Sequence, residues 1–474
     1  MSPRILGPLL AALLLTGCSV GPDYQPPTPN LPDRWSETAP TGVRGDDLAQ
    51  WWHAFHDPEL DRLIDAAIAG NLDLKMAVQR TVIAKTERDR REARDLPVIG
   101  AGIAAANSRA SETLTWPPGD GEYKTYQYGL DASWELDVFG GNKRSVQEAD
   151  ALTDASVEDR KAVLVSLLGE VAADYATLRS AQVRLDIANR NIAVQQHALE
   201  LSQRAFQAGL GTDLDVARAQ AEVETSQAQV PHLEAVIARM CHALSVLTGR
   251  FPGELTTELT DGSAKMLPLP ELPTALPSDV VRNRPDIRRA ERRIAAATAR
   301  VGVAEADLFP HFQIPLGLGP MTSNLVNLFD PASLVWTFGL AAGQTLYDGG
   351  ARQDRIKAAQ ALTEEQKLAY EQTILAAFRE VEDRLNGYAT EGRRQSSLIK
   401  ASADQERAVD RATKLYARGL VDFLKVLDSE RALYRAQDTQ AESELAQRLE
   451  LIGLYRALGG GWQSDQTAMA SSPP

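Results

Sequence analysis

The chain has 474 residues, with 50 Lys and Arg against 64 Asp and Glu and a formal net charge of −14. Acidity with both signs mixed, and no basic patch interleaved with aromatics, argues against nucleic acid as a partner. Two cysteines and six histidines offer little for a disulfide framework or a metal centre.

The first segment reads as a targeting signal. Arg4 precedes an apolar run from Ile5 to Leu15 that is too short for a permanent membrane helix. Leu15, Thr16, Gly17 and Cys18 then resemble a bacterial lipobox. Residues 1–17 are therefore read as a signal peptide and Cys18 as the lipidated first mature residue. Ser19 rather than Asp follows, which fits sorting to the outer membrane. A proline-rich tether occupies 18–45, with Pro22, Pro26, Pro27, Pro29 and Pro32.

A first repeat spans 46–250. Asp57-Pro58 predicts a helix start, and Leu60, Leu63, Ile64 and Ala67 give a short amphipathic helix. A second helix runs from about Leu72 to Asp95 and stops at Pro97. Its run from Glu87 to Asp95 alternates in sign and reads as a solvated face. From Tyr126 to Val138 apolar residues alternate strictly with Gln127, Gly129, Asp131, Ser133, Glu135 and Asp137, the mark of a strand with one greasy and one wet face. Ile99, Ala101, Ile103 and Ala105 form a weaker partner strand.

A long helical run follows Gly140. Val157, Leu164, Val171, Leu178, Leu185, Ile192, Leu199 and Phe206 recur every seventh residue, a period that keeps one seam against a partner helix. A helix from Asn142 to Gln207 would be about 100 Å long at 1.5 Å per residue. After a break at Gly209 and Leu210, Val216, Val223, Val230, Ile237 and Leu244 predict one helix folding back. Cys241 within it reads as a small core residue.

An irregular linker with Pro252, Pro268, Pro270, Pro273 and Pro277 occupies 251–283, and a second repeat spans 284–460 before a tail at 461–474. Arg284-Pro285-Asp286 opens a helix that stops at Phe309-Pro310. Phe312 to Leu318 and Leu334 to Leu346 alternate as strands, with Pro315 an awkward member of the first. Ile374, Val381, Tyr388, Val409 and Tyr416 repeat the heptad phase, interrupted by Gln395 and Ser402. Gly419, Leu420, Leu424 and Val426 match Gly209, Leu210, Leu214 and Val216. Four strands cannot close a barrel, and an open edge is not viable in hydrocarbon, so an oligomer must complete the sheet; a trimer would supply twelve strands. The expected fold is an α+β membrane protein, with long antiparallel helical hairpins, four strands per protomer in a twelve-stranded barrel, and an internal two-fold repeat.

Several stretches together resemble the TolC-like outer-membrane efflux proteins, in the lipoprotein branch that serves RND pumps. They are Cys18 to Tyr24, Trp51 to Pro58, Arg284 to Ile287, Phe309-Pro310, Leu346 to Gly350, Val426 to Asp428 and Ala457 to Gly460; Pro231 in a helical run is also similar. The resemblance covers nearly the whole mature chain. It implies a homotrimer in the outer membrane of a Gram-negative cell, reaching into the periplasm as a helical tunnel. It also implies an equatorial belt near 46–70, 250–283 and the C-terminus, and partners in a periplasmic adaptor and an inner-membrane RND pump. Leu424 and Asp428 fall at the pore constriction, where a ring of carboxylates would favour cations. Tyr416 and Asp215 match latch positions. Val421 replaces the latch arginine of TolC and Lys425 replaces a second acidic ring residue, so the full latch is not carried over. Gly209, Leu210, Gly419 and Leu420 would dock the adaptor, while the same glycines also serve a plain helix turn.

Nothing in the chain forms a catalytic constellation. His53, His56, His197, His232, His242 and His311 are scattered, and neither a zinc-helix motif nor a P-loop nor a nucleophile elbow is present. No cofactor beyond a covalent lipid on Cys18, and no metal, is expected. The reading is a passive exit duct of tripartite efflux. A protein-secretion duct is the nearest alternative; a periplasmic coiled-coil scaffold or adaptor is the second, disfavoured by the alternating strand at Tyr126 to Val138.

Overall fold

The structure is a computed structural model, and it describes residues 19–36, 43–109, 111, 113, 121–261, 265–274 and 277–463. The strands are β1 (Val43–Arg44), β2 (Val98–Arg109), β3 (Glu122–Leu136), β4 (Pro273–Thr274), β5 (His311–Thr322), β6 (Leu334–Phe338) and β7 (Ala341–Gly343). The helices are α1 (Pro58–Gly70), α2 (Leu72–Glu92), α3 (Gly141–Gln207), α4 (Asp213–Gln227), α5 (Gln229–Leu247), α6 (Thr256–Thr260), α7 (Pro277–Asn283), α8 (Pro285–Ala306), α9 (Ala351–Tyr416) and α10 (Phe423–Ala457). The chain forms two compact units, one holding 1–28, 79–157 and 289–371 and the other the remainder.

The first unit carries an antiparallel sheet in the order β2-β3-β5-β6, with β7 also paired to β5. Its register puts Ala101 beside Leu130, Leu130 beside Leu318, and Leu318 beside Trp336, so one face is apolar from the Ile99–Ala132 pair to the Ala105–Tyr126 pair. The other face carries Gly100, Asp131, Gly317 and Thr337 in one row. Ile103 is 83% exposed and Trp336 72%, so among the described residues much of the greasy face is uncovered, although the Phe329 ring lies 5.9 Å from that of Tyr128 at one end.

Here the structure corrects the expected fourth strand. It splits into β6 and β7, and the break at Gly339 and Leu340 lies opposite Pro315 and Ile314. Pro315 accepts from the Gly339 amide (3.2 Å) but has no N–H to return, so the ladder fails at that step. The charged run in α2 is also more than a solvated face: Arg88 bonds Asp150 (2.9 Å) and Arg91 bonds Glu148 (2.7 Å), both on α3.

In the second unit, Asp57 caps α1 by accepting from the Glu59 and Leu60 amides, as its sequence predicts, and also accepts from the buried Tyr175 hydroxyl. Trp51 stacks on Tyr455 at 4.9 Å, with Trp52 and Phe55 buried beside it. His53 is a surface partner of Asp61 (2.8 Å), and Cys241 is a buried free thiol.

The heptad seam of α3 holds at Leu164, Val171 and Leu178, which are buried. Beyond them Leu185, Ile192 and Leu199 are only half-buried, and the buried column moves to Ala181, Ala188, Gln195 and Ser202. The small side chains of Ala181, Ala188 and Ser202 allow close helix approach there. In α9 the supposed interruptions Gln395 and Ser402 stay half-buried, in phase with Tyr388 and Val409, so the seam persists with polar members. The single returning helix expected through Val216 to Leu244 is instead α4 and α5, parted at Ala228. Pro231 explains the break, because it has no N–H for the Gln227 carbonyl and its ring crowds it. α10 contains no proline and runs unbroken for 35 residues.

Candidate channel constriction and hairpin tips

Both long helices, α3 with 67 residues and α9 with 66, end in the same turn. Gly209 takes φ +71° and Gly419 φ +70°, the left-handed conformation that glycine adopts without strain. The Leu210 amide reaches back to the Ala205 carbonyl (2.8 Å), and the Leu420 amide to the Leu415 carbonyl (3.0 Å). The next helices are then capped, α4 by Thr212 and α10 by Asp422. A Cβ at either glycine would meet nothing within 4 Å. Leu210 is 86% exposed and Leu420 67%, so each tip presents a bare leucine.

Behind the tips, Ala198, Ala219, Phe423, Val426 and Leu427 form a small core joining α3, α4 and α10, with Leu199, Ala412 and Tyr416 packed against it. The Tyr416 ring lies 5.3 Å from that of Phe423. Asp215 is engaged elsewhere: it accepts from the Thr212 amide (3.2 Å) and hydroxyl (2.7 Å) in a reciprocal capping box. Thus Tyr416 and Asp215 each have a partner on their own side of the chain. Leu424 and Asp428 sit one helical turn apart on α10, the leucine half-buried and the aspartate exposed. Val421 is half-buried and Lys425 exposed.

Sequence reasoning missed three groups here. Arg431 on α10 pairs with Glu222 on α4. Arg184 on α3 bonds Asp438 (2.6 Å) and Glu442 (2.8 Å) on α10. Both pairs tie the second hairpin to the first. Glu430 is buried with Oε2 lacking a partner, and burial pushes its carboxyl up to about 7. The partners in each pair lie over 200 residues apart, so no local spacing announces them. Only the interruption of an apolar seam by a glutamate at position 430 could have drawn notice. Cys18 lies outside the described residues.

The chain matches the family model described as "Outer membrane efflux protein" over residues 63–250 and 276–460. The solvent efflux pump outer membrane protein SrpC of Pseudomonas putida is 31% identical over 467 residues, covering 97% of this chain and 98% of that protein. The cation efflux system protein CusC of Escherichia coli O6:H1 is 30% identical over 469 residues, with 98% and 100% covered. The solved structure of the outer-membrane channel OprN superposes with a TM-score of 0.88 at 34% identity, covering 94% of this chain and 100% of that one. With a largely exposed apolar sheet face, two long helical hairpins and these likenesses along nearly its whole length, the chain belongs to the outer membrane efflux protein family and is an outer-membrane exit channel of an efflux pump.

Proposed function

We propose that three copies of the chain close a twelve-stranded barrel and a helical tunnel, which passes small toxic compounds handed over by a periplasmic adaptor and an inner-membrane RND pump. The observation that carries this is the sheet itself. Among the described residues most of its apolar face is exposed, and β2 pairs on one side only. An unpaired edge in hydrocarbon costs several kcal/mol per lost hydrogen bond, so neighbouring copies must supply the missing strands. The duct performs no catalysis and uses no cofactor beyond the lipid on Cys18. Residues 1–17 are the signal peptide, and 46–250 and 284–460 are the two copies of the repeat.

The constriction is assigned to Leu424 and Asp428. Asp428 is exposed on α10, where three symmetry-related carboxylates would hold cations and repel anions. Tyr416 and Asp215 are the candidate latch between neighbouring coils; the capping box of Asp215 leaves its side chain partly exposed for such a contact. The twin tips at Gly209-Leu210 and Gly419-Leu420 are the adaptor-docking points, because each offers an exposed leucine on an open glycine turn.

The test is single-channel recording in planar bilayers, wild type against the double variant Leu424→Ala/Asp428→Ala. The wild type should show a small, cation-preferring conductance and the variant a sharply larger one with weaker cation preference. Equal conductance would move the gate elsewhere, and silence from both after verified insertion would remove the channel.

A further inference from the structure

The first unit holds the Ser19 to Tyr24 stretch in a built seat. The Val20 amide donates to the Phe139 carbonyl (3.1 Å). Arg144 donates from Nε to the Val20 carbonyl (2.9 Å) and from Nη2 to the Gly21 carbonyl (3.0 Å); Nη2 also lies 2.9 Å from Asp23 Oδ1. The Arg144 side chain is 5% exposed. Gly21 has φ +90°, and a Cβ on it would come 2.4 Å from the Gly302 Cα. A Cβ on Gly140 would come 2.8 Å from the Ser19 Cα. The Tyr24 hydroxyl then donates to Glu291 (2.8 Å), with Arg292 over its ring.

A loose leash needs none of this. Burying a guanidinium to grip two successive carbonyls and a carboxylate is worthwhile only where chain position matters, since the five-donor fork fixes direction as well as distance. The seat lies at the foot of the sheet. Phe139 stacks on Phe309 at 4.6 Å and lies 6.5 Å from Phe312, and Trp134 donates to the Asp95 carbonyl (2.9 Å). Aromatic residues at strand ends mark the boundary between hydrocarbon and water.

We propose that Phe139, Gly140, Arg144 and Gly302 form a seat that fixes where the acyl-bearing end leaves the protein, at the aromatic foot of the sheet, with Arg144 as its positioning residue. The proposal rests on the reading of Cys18 as acylated. Ser19 is bonded to Cys18, so seating Ser19 beside Gly140 starts the acyl chains at the depth where the strands enter the membrane. Anchor and sheet then share one depth.

The test uses full-length protein in detergent micelles and chymotrypsin, which cuts after Tyr24 once the strap lifts. Mass spectrometry follows release of the Cys18-to-Tyr24 peptide, and circular dichroism follows helix melting. Arg144→Met should speed release roughly tenfold or more, given the strength of hydrogen bonds to charged groups. Arg144→Lys should fall between it and wild type, with unchanged melting in both. Asp23→Asn with Tyr24→Phe, which removes the exposed carboxylate and the hydroxyl bond to Glu291 while keeping the ring, should also speed release and guards against misfolding of the arginine variants. Equal release in all variants, with acyl mass present, overturns the seat. Faster release matched by a parallel drop in melting temperature overturns it too, leaving Arg144 a fold residue. A wild-type peptide without acyl mass overturns the anchor role together with the lipidation reading beneath it.

Discussion

Glu430 illustrates how a single residue can set a condition on the tunnel helices. It lies on the face of α10 that carries Val426 and Leu427, and burial raises its carboxyl to about 7. Asp174 on α3 behaves alike: burial, helped by Glu170, raises it to about 6. A carboxyl whose folded pKa exceeds its unfolded value binds more protons when folded. Its contribution to stability is therefore present at low pH and declines as pH rises from about 4.5 to about 7. Thermal melting should accordingly show a higher Tm at pH 5 than at pH 8, and Glu430→Gln should raise Tm at pH 8 while changing it little at pH 5. A variant with the wild-type pH slope would show that Glu430 stays ionised in the folded protein. The candidate site was only partly legible at this scale. The glycine turns at 209 and 419 follow from local chemistry, whereas Leu424 and Asp428 came from resemblance. The Arg431–Glu222 pair and the burial of Glu430 depend on packing between distant segments.

At the scale of elements, period-seven spacing gave α3 and α9 almost to their ends, because burial along one stripe is a local property of the pattern. It failed where side-chain size outweighed hydropathy. Toward the tip of α3 the deepest positions are Ala181, Ala188, Gln195 and Ser202, while the leucines and isoleucine of the predicted seam lie half-exposed. Leu178→Ala, in the fully buried stretch, should cost about 2–5 kcal/mol; Ile192→Ala should cost much less. Denaturant melts of the two variants decide this, and equal losses would mean that the seam is uniform after all. The prolines were legible as residues but not in their consequences. Pro231 divides the returning helix, and Pro315 keeps its place in β5 while its missing donor splits the strand across from it.

At the scale of the molecule, the sheet decides the environment. Its two faces differ across the paired strands, and among the described residues both are largely exposed. Ile103→Arg should cost about 2–4 kcal/mol if the position is near the bilayer midplane. Membrane flotation should then show impaired insertion while circular dichroism reports intact helices. Normal insertion would place Ile103 outside the hydrocarbon. The amino-acid sequence by itself determined the class of every long element, the repeat and the alternation of the strands, because period, caps and helix-ending glycines act over a few residues. Only the tertiary structure decided which seam positions are deepest, which charges join the hairpins and where the residues after Cys18 are held. Those depend on side chains brought together from segments far apart in the chain, and no local pattern encodes such meetings.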